Sequence, residues 1–371
     1  MRIMLVTDAW EPQVNGVVRT LQRVIAECKK LGHEFHIVSP SDGYKTMPLP
    51  TYEEIQLAFG QQKDVERRFL EFEPEAVHIA TEGPLGVAAR QVCRKHKHPF
   101  TTSYHTRFPE YVSARLPLPL AAGYAYVRWF HRTSGRVMVA TPSMQQELEE
   151  RGFVRLTAWS RGVDTEMFHP NKRAADGGPF AGLQRPIMAY VGRVAVEKNL
   201  EAFLDLDLPG TKVVVGDGPQ REELIGKYPN AHFPGAKFGD ELAACFANAD
   251  VFVFPSLTDT FGLVILEAMA AGTPVAGFIA PGPKDLIPGS GAGAVHEDLQ
   301  VAILEALACD RNVTRAYAEK FSWKACAEAF IANLEPLPPP EKKRFWRRLR
   351  LVSRLVGWAK RRREARARAP Q

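Results

Sequence analysis

The sequence predicts an α/β protein built from two doubly wound parallel-sheet domains in series. Three observations carry this expectation: strand-length apolar runs alternate with helix-length amphipathic stretches, a polar stretch bearing Gly and Pro interrupts the alternation near the middle, and the alternation then restarts. With 371 residues, 45% of them apolar and 24% charged, the chain has the composition of a folded protein with more than one domain.

The first apolar run, Ile3 to Val6, is short for the core of a signal peptide and reads as a buried strand. An amphipathic helix follows from Val17 to Cys28. Further strands are expected at Phe35 to Val38, Ala76 to Ile79, Phe100 to Tyr104 and Val137 to Ala140, the last followed by the helix-forming Met144 to Glu150. Residues 1–170 make the first domain. Residues 171–186, with Gly177-Gly178-Pro179, read as a linker. The second domain, 187–321, has strands at Ile187 to Val191, Lys212 to Val215, Val251 to Phe254 and Pro274 to Phe278. Its helices are expected near 199–206, 218–226, 239–248, 262–271 and 297–308.

Five widely spaced cysteines without a Cys-x-x-Cys pair argue against a disulfide framework or a zinc site and fit a reducing cytoplasm. No uncharged apolar stretch reaches the roughly 18 to 20 residues of a membrane span, so neither export nor an integral location is expected. The net charge of +6 is unevenly spread. Residues 341–371 hold 13 Lys and Arg against 2 acids, which leaves 35 basic and 40 acidic residues in the first 340.

Open parallel sheets bind ligands beyond the carboxyl ends of their strands, so chemistry is expected in the strand-to-helix loops. In the loop Asp8 to Gly16, Gly16 stands at a helix start. There it either admits an anion to the backbone N–H groups or serves the turn alone. The corresponding loop of the second domain, Val191 to Leu200, places Arg193 and Lys198 directly after a buried strand, where two cations suit a departing nucleoside diphosphate. The segment Phe254 to Gly272 runs strand, loop, helix and C-cap glycine. Asp259 lies in its loop and Glu267 about two helical turns on. Between them the N–H groups of Thr260, Phe261, Gly262, Leu263 and Val264 are free to cradle phosphate. Glu267, flanked by Leu266 and Ala268, needs a partner to be buried: a ribose diol, or a neighbouring Arg or Lys.

Together the Asn15-Gly16 loop, Gly192-Arg193 with Glu197-Lys198-Asn199, Val215-Gly216-Asp217-Gly218-Pro219 and the Asp259-to-Glu267 segment resemble the GT-B-fold retaining glycosyltransferases of family four, over residues 1 to about 335. Pro12 to Val18, Thr81-Glu82-Gly83-Pro84-Leu85-Gly86 and Arg161-Gly162-Val163-Asp164 look closest to the branch of GDP-mannose-dependent α-mannosyltransferases and sulfoquinovosyltransferases. The resemblance implies two Rossmann-like domains facing across a cleft, with a helix over 322–335 crossing back onto the first. It implies donor binding by Asn15, Gly16, Gly216, the Thr260 to Val264 amides and Glu267 on the ribose. It implies catalytic roles for His105, Arg193, Lys198 and Asp259. Asp259 stands where the family usually has Glu, one methylene longer, which bears on the donor sugar.

What the resemblance implies chemically is transfer of a hexose, mannose favoured, from a GDP- or UDP-linked donor to a lipid or lipid-linked acceptor. No cofactor or metal is expected, Arg193 and Lys198 supplying the positive charge. The alternatives are a UDP-sugar-dependent glycolipid synthase and a nucleotide-sugar 2-epimerase, which needs no acceptor. Two further motifs are set aside. Asp205-Leu206-Asp207 ends a helix instead of following a buried strand, and Gly289 to Ala294 lacks the strand-to-helix setting of a dinucleotide site.

Pro336 to Pro340 forms a stiff spacer leading into the tail 336–371. On a helical wheel Phe345, Leu349, Val352, Val356 and Ala359 share one face opposite Arg347, Arg350, Arg354 and Arg361, with Trp346 and Trp358 on the flanks. Such a basic amphipathic helix over 341–369 suits an anionic membrane surface rather than nucleic acid. The expectation is a cytoplasmic protein held peripherally on the inner face of the plasma membrane.

Overall fold

In chain order the first domain runs β1 (Arg2–Val6), α1 (Gly16–Lys30), β2 (Glu34–Val38), β3 (Lys45–Leu49), β4 (Tyr52–Phe59), α2 (Gln62–Phe72), β5 (Ala76–Ile79) and α3 (Pro84–Lys95). It continues with β6 (Thr101–Tyr104), α4 (Phe108–Ser113), α5 (Leu120–His131), β7 (Val137–Val139), α6 (Pro142–Glu150) and β8 (Leu156–Ala158). The second comprises β9 (Ile187–Val191), α7 (Glu201–Leu204), β10 (Thr211–Val215), α8 (Arg221–Lys227), β11 (His232–Gly235), α9 (Gly239–Asn248), β12 (Val251–Phe254) and α10 (Leu263–Ala270). It ends with β13 (Val275–Gly277), α11 (Pro283–Leu286), β14 (Gly293–Val295), α12 (Leu299–Leu307) and α13 (Arg311–Ala318), and α14 (Trp323–Asn333) follows. This computed structural model describes residues 1–13, 15–49, 52–59, 61–113 and 118–337, so the basic helix expected over 341–369 lies outside the described residues.

The strand order of the first sheet is β2-β1-β5-β6-β7-β8 and of the second β11-β10-β9-β12-β13-β14, with every pairing parallel. Parallel sheets need both faces covered, which is why β1, β5 and β9 are apolar almost throughout instead of alternating. One face of the first sheet packs Val6, Ile79, Leu85, Val92 and Phe100 beneath α2 and α3. The other packs Ile3, Leu5, Leu21, Val24 and Trp159 beneath α1 and α14.

The last helix belongs spatially to the first sheet. Cys326, Ala327 and Phe330 of α14 are buried beside Leu21, Val24 and Cys28 of α1, and Trp159 Nε1 donates to the Cys326 carbonyl at 3.1 Å. The approach is close at Gly162, where a Cβ would stand 2.5 Å from Trp323 N and 2.6 Å from its Cα.

Residues 171–186 join the domains without hanging loose. Asn248 on α9 accepts from Ala174 N and donates to Lys172 O, Arg173 donates to the Ala247 and Ala249 carbonyls, and Phe180 is buried in the second core. The β3–β4 hairpin was not foreseen, because Pro48 inside a short, polar run argues against a strand. It is tolerated here in a two-stranded ladder away from the main sheets. The helix expected at 199–206 shortens to α7 because Asn199 takes a left-handed conformation, φ 54°, and ends a separate 3₁₀ turn at Val196–Lys198.

Gly162→Ala is expected to destabilise the protein by about 1 to 3 kcal/mol through overpacking against Trp323. Urea melts would report this as a lower midpoint with an unchanged slope.

Candidate active site

Strand order reverses at β9, with β10 on one side and β12 on the other, and a crevice opens at such a switch point. The loops that frame it, 192–200 and 255–262, are tied together. Lys198 Nζ meets both Asp259 oxygens at 2.7 and 2.9 Å, Asn199 Nδ2 donates to Pro255 O at 3.2 Å, and Ser256 Oγ donates to Glu197 O at 3.2 Å. Lys198 and Asp259 keep only 21% and 19% of their side-chain surface exposed, so this ion pair is better shielded than an ordinary surface pair. Arg193 leaves the same strand end, with its carbonyl accepting from Tyr190 Oη at 2.7 Å.

A third loop crosses over the first. Val194 N donates to Asp217 O at 2.8 Å, and Gly192 N donates to Val215 O at 3.0 Å. Gly216, at φ 155°, passes so close to Gly192 that a Cβ would overlap the Gly192 carbonyl oxygen. Backbone packed that tightly leaves room only for glycine.

Gly262 caps α10 from the left-handed region at φ 80°, and a Cβ there would stand 2.9 Å from Phe254 Cζ. No side chain caps this helix; Ile265 N donates to Gly262 O at 2.9 Å, and the N–H groups of Leu263 and Val264 before it precede the first helical acceptor. An anion suits them. Glu267 lies one turn further along the same helix, buried. Its Oε1 is 3.7 Å from Arg19 Nη1 of the first domain, while its Oε2 is buried with no hydrogen-bond partner. Burial pushes its carboxyl up to about 7, against the pull of Arg19 and Arg23. Of the two partners open to Glu267 from sequence, a basic side chain thus takes one oxygen and leaves the other bare.

The first domain meets this surface through α1 and the end of β6. Gly16 opens α1 opposite Leu263, whose Cδ1 a Cβ on Gly16 would touch at 3.6 Å. Asn15 caps α1, its Oδ1 accepting from Val17 N and Val18 N at 3.0 Å each, so its side chain is engaged locally. The carbonyl of His105 accepts from Thr260 Oγ1 across the cleft at 2.7 Å. The His105 ring is buried on the inner side, where Nε2 meets Ser103 Oγ at 2.8 Å and Nδ1 meets Arg161 Nη2 at 3.2 Å. Burial first, then the Arg161 charge, holds this imidazole well below its usual range.

Several participants were not singled out from sequence. Asp8 accepts from Leu85 N at 3.0 Å, Gly86 N at 3.3 Å and Thr81 Oγ1 at 2.9 Å, which accounts for Gly83, where a Cβ would overlap the Asp8 carboxylate; at Gly86 a Cβ would overlap the Thr81 carbonyl oxygen. Burial pushes Asp8 up to about 6. Asp285 on α11 accepts from Ser143 N at 2.9 Å and from Ser143 Oγ, and Arg23 donates to Asp164 at 3.0 Å. A lone acid straight after a buried strand was the available signal for Asp8. Asp285 and Ser143 carry none, since they meet only through the fold. Among the described residues no group of three or more His, Cys, Asp or Glu is placed to hold a metal ion.

Two Rossmann sheets, with a shielded cation and a bare buried carboxylate at the second switch point, make up a glycosyltransferase of the GT-B type. Residues 14–167 match the family model Glycosyltransferase Family 4 and residues 185–309 match Glycosyl transferases group 1. The chain is 31% identical over 325 residues to a GDP-mannose-dependent α-mannosyltransferase of Mycobacterium tuberculosis, covering 77% of this chain and 81% of that protein. It is 29% identical to a sulfoquinovosyl transferase of Arabidopsis thaliana, covering 84% and 69%. It is 26% identical to an alpha-monoglucosyldiacylglycerol synthase of Streptococcus pneumoniae, covering 89% and 83%. The Anabaena HepE structure in complex with UDP-glucose shares the fold, with a TM-score of 0.69 at 16% identity over 90% of this chain and 98% of that one. The chain belongs to glycosyltransferase family 4.

Donors aimed at the bare Glu267 oxygen favour its charged form, so a nucleotide that occupies it should expel a proton. Near pH 6.5, calorimetry of GDP or UDP binding in buffers of different ionisation enthalpy should show proton release, and Glu267→Gln should abolish it. Equal release in that variant would remove Glu267 from the nucleotide site.

Proposed function

We propose that the protein transfers a hexose, mannose favoured, from a nucleotide diphosphate donor to a lipid or lipid-linked acceptor with retention of anomeric configuration. The observation that carries the reading is the bare, buried Glu267 oxygen one helical turn behind the open amides of α10, with the Lys198–Asp259 pair beside it. A ribose diol satisfies Glu267, the diphosphate suits the amides of Thr260 to Val264, and Gly16 and Gly216 leave backbone room around it. Asn15 acts through the start of α1. Asp259 takes the donor sugar hydroxyls, and His105 borders that sugar. The GDP-mannose dependence in the name of the mycobacterial relative supports mannose; the diacylglycerol in the name of the streptococcal one supports a lipid acceptor.

In the reaction the acceptor hydroxyl forms a bond to the anomeric carbon while the bond from that carbon to the diphosphate oxygen breaks. The departing diphosphate oxygen takes the hydroxyl proton. Arg193 and Lys198 stabilise the charge growing on the leaving group, a contribution made chiefly in the transition state. Metal ions are not required where these two cations do that work. The protein's other task is positioning.

A UDP-linked glucosyl donor is the second reading; the glucosyl group in the streptococcal relative's name supports the sugar. Thermal-shift titration against GDP, UDP, GDP-mannose and UDP-glucose separates the two, since the nucleotide that binds the native state raises the melting temperature. Stabilisation by none would sink the donor-site reading. A 2-epimerase would convert the donor with no acceptor present, which NMR of the donor incubated with enzyme alone would reveal.

Lys198→Ala should lower kcat by about 100- to 1,000-fold, as loss of one charge-stabilising donor does, with the melting temperature little changed. Near-normal turnover would remove Lys198 from the site.

The tail supports action at the cytoplasmic face of a membrane, each cation near an anionic surface contributing about 1 kcal/mol. No helix among the described residues is long and apolar enough to cross a membrane, so attachment through that tail is proposed instead. Removing residues 341–371 should reduce co-sedimentation with anionic vesicles, and unchanged sedimentation would exclude the tail.

A further inference from the structure

Behind the cleft a file of polar side chains runs through the interior of the first domain. Thr101 Oγ1 meets His78 Nδ1 at 2.9 Å, His78 Nε2 meets Ser103 Oγ at 3.1 Å, Ser103 Oγ meets His105 Nε2 at 2.8 Å, and His105 Nδ1 meets Arg161 Nη2 at 3.2 Å. The file exists because β6 puts Thr101 and Ser103 on one face of the sheet, while β5 places His78 beside them.

Its polarity follows from one member. A guanidinium has donors only, so the nitrogen of His105 that faces Arg161 must accept and be bare. The proton of His105 then sits on Nε2 and is donated to Ser103 Oγ. The Ser103 hydroxyl keeps its own proton for His78 Nε2 at 3.1 Å or the Ala80 carbonyl at 3.5 Å. Thr101 in turn has the Val77 carbonyl at 3.5 Å. Arg161 thus sets the tautomer of His105 and the direction of its bond to Ser103.

Arg161 is itself unusual. It is 5% exposed, its guanidinium lies 4.4 Å over the Trp159 ring, and its Nη1 donates to Trp159 O at 2.6 Å and Ser160 O at 3.4 Å. Among the described residues no carboxylate forms an ion pair with it. A buried cation held only by carbonyls, a ring and an imidazole is costly to keep. The His105 ring is faced by Arg161 from the segment after β8, His78 from β5, His131 from α5 and the Trp159 ring; His131 is tied to Glu82 at 3.1 Å, and Cys326 of α14 lies beside Arg161. No anion among these groups touches the His105 ring.

We propose that Arg161 is a positioning residue that fixes His105 as the neutral Nε2–H tautomer, withdrawing its ring from proton transfer and presenting its carbonyl to Thr260. This rests on the reading that His105 borders the donor sugar. The imidazole becomes a non-titrating wall of the site, and the acceptor proton has the leaving diphosphate as its destination. His78 continues the file into the sheet through Ser103 and Thr101.

The test is imidazole ¹⁵N NMR of the full-length protein between pH 5 and 8, together with the pH profile of kcat/KM for the native chain, Arg161→Met and Arg161→Lys. In the native chain His105 should stay neutral with its proton on Nε2, and kcat/KM should show no ionisation traceable to it. Arg161→Met should let His105 titrate and lower kcat/KM about tenfold at pH 5.5 relative to pH 8, while Arg161→Lys, which keeps a charge and a donor, should restore most of the native profile. A native His105 protonated on Nδ1, or charged at pH 6, overturns the proposal even if Arg161→Met does not fold. So does a His105 in folded Arg161→Met that stays neutral with its proton on Nε2. The expected NMR result with an unmoved kcat/KM profile would uphold the lock and refute the placement of His105 beside the sugar.

Discussion

Because β9 pairs with β10 on one edge and β12 on the other, the connections leaving these strands part to opposite faces of the sheet, and the space between them has no chain to fill it. Everything at the second-domain site answers to that vacancy. Gly192 and Gly216 let two loops cross backbone to backbone, Lys198 and Asp259 bridge the gap by an ion pair, and α10 begins there with its first amides open. A sheet of different order would separate the loops and leave each of these residues an ordinary surface group.

Two buried charges give the site its character, and each is incompletely matched. Glu267 has one oxygen facing Arg19 and one without a hydrogen-bond partner; burial raises its carboxyl, and the bare oxygen makes it a receptor for donors. Arg161 is matched by carbonyls and rings in place of an acid, and one of its N–H groups is directed at the bare nitrogen of His105. The first arrangement stores affinity for a ligand that brings hydroxyl groups, and the second orders a neighbour. Both exploit the cost of taking charge out of water.

Near the cleft the two domains touch through polar contacts: Thr260 to His105, Glu267 to Arg19 and Asp285 to Ser143. Apolar burial joins them elsewhere: Ala140, Val163 and Phe168 enter the second core, and α14 carries the chain back and buries Cys326, Ala327 and Phe330 against α1. An apolar anchor at one side and hydrogen bonds at the other is a division suited to a cleft that must admit a large substrate, since hydrogen bonds can be exchanged for water at little net cost while apolar burial cannot.

The local code of this sequence was sufficient for the alternation of strands and helices, for the positions of Lys198 and Asp259 in strand-to-helix loops and of Glu267 on the helix that follows, and for family membership, because periodicity and turn residues act over a few neighbouring positions. Glycines at crossings such as Gly216 were legible as motif members, though the carbonyl each avoids was not. Tertiary structure alone decided that Lys198 pairs with Asp259, that the ring of His105 turns inward to Ser103 and Arg161, and that Asp8 caps α3. It also decided that Asp285 meets Ser143. Those outcomes join residues dozens to more than a hundred positions apart. Burial and hydrogen-bond direction depend on which groups the folded sheets bring together, and no pattern confined to one stretch of chain encodes that.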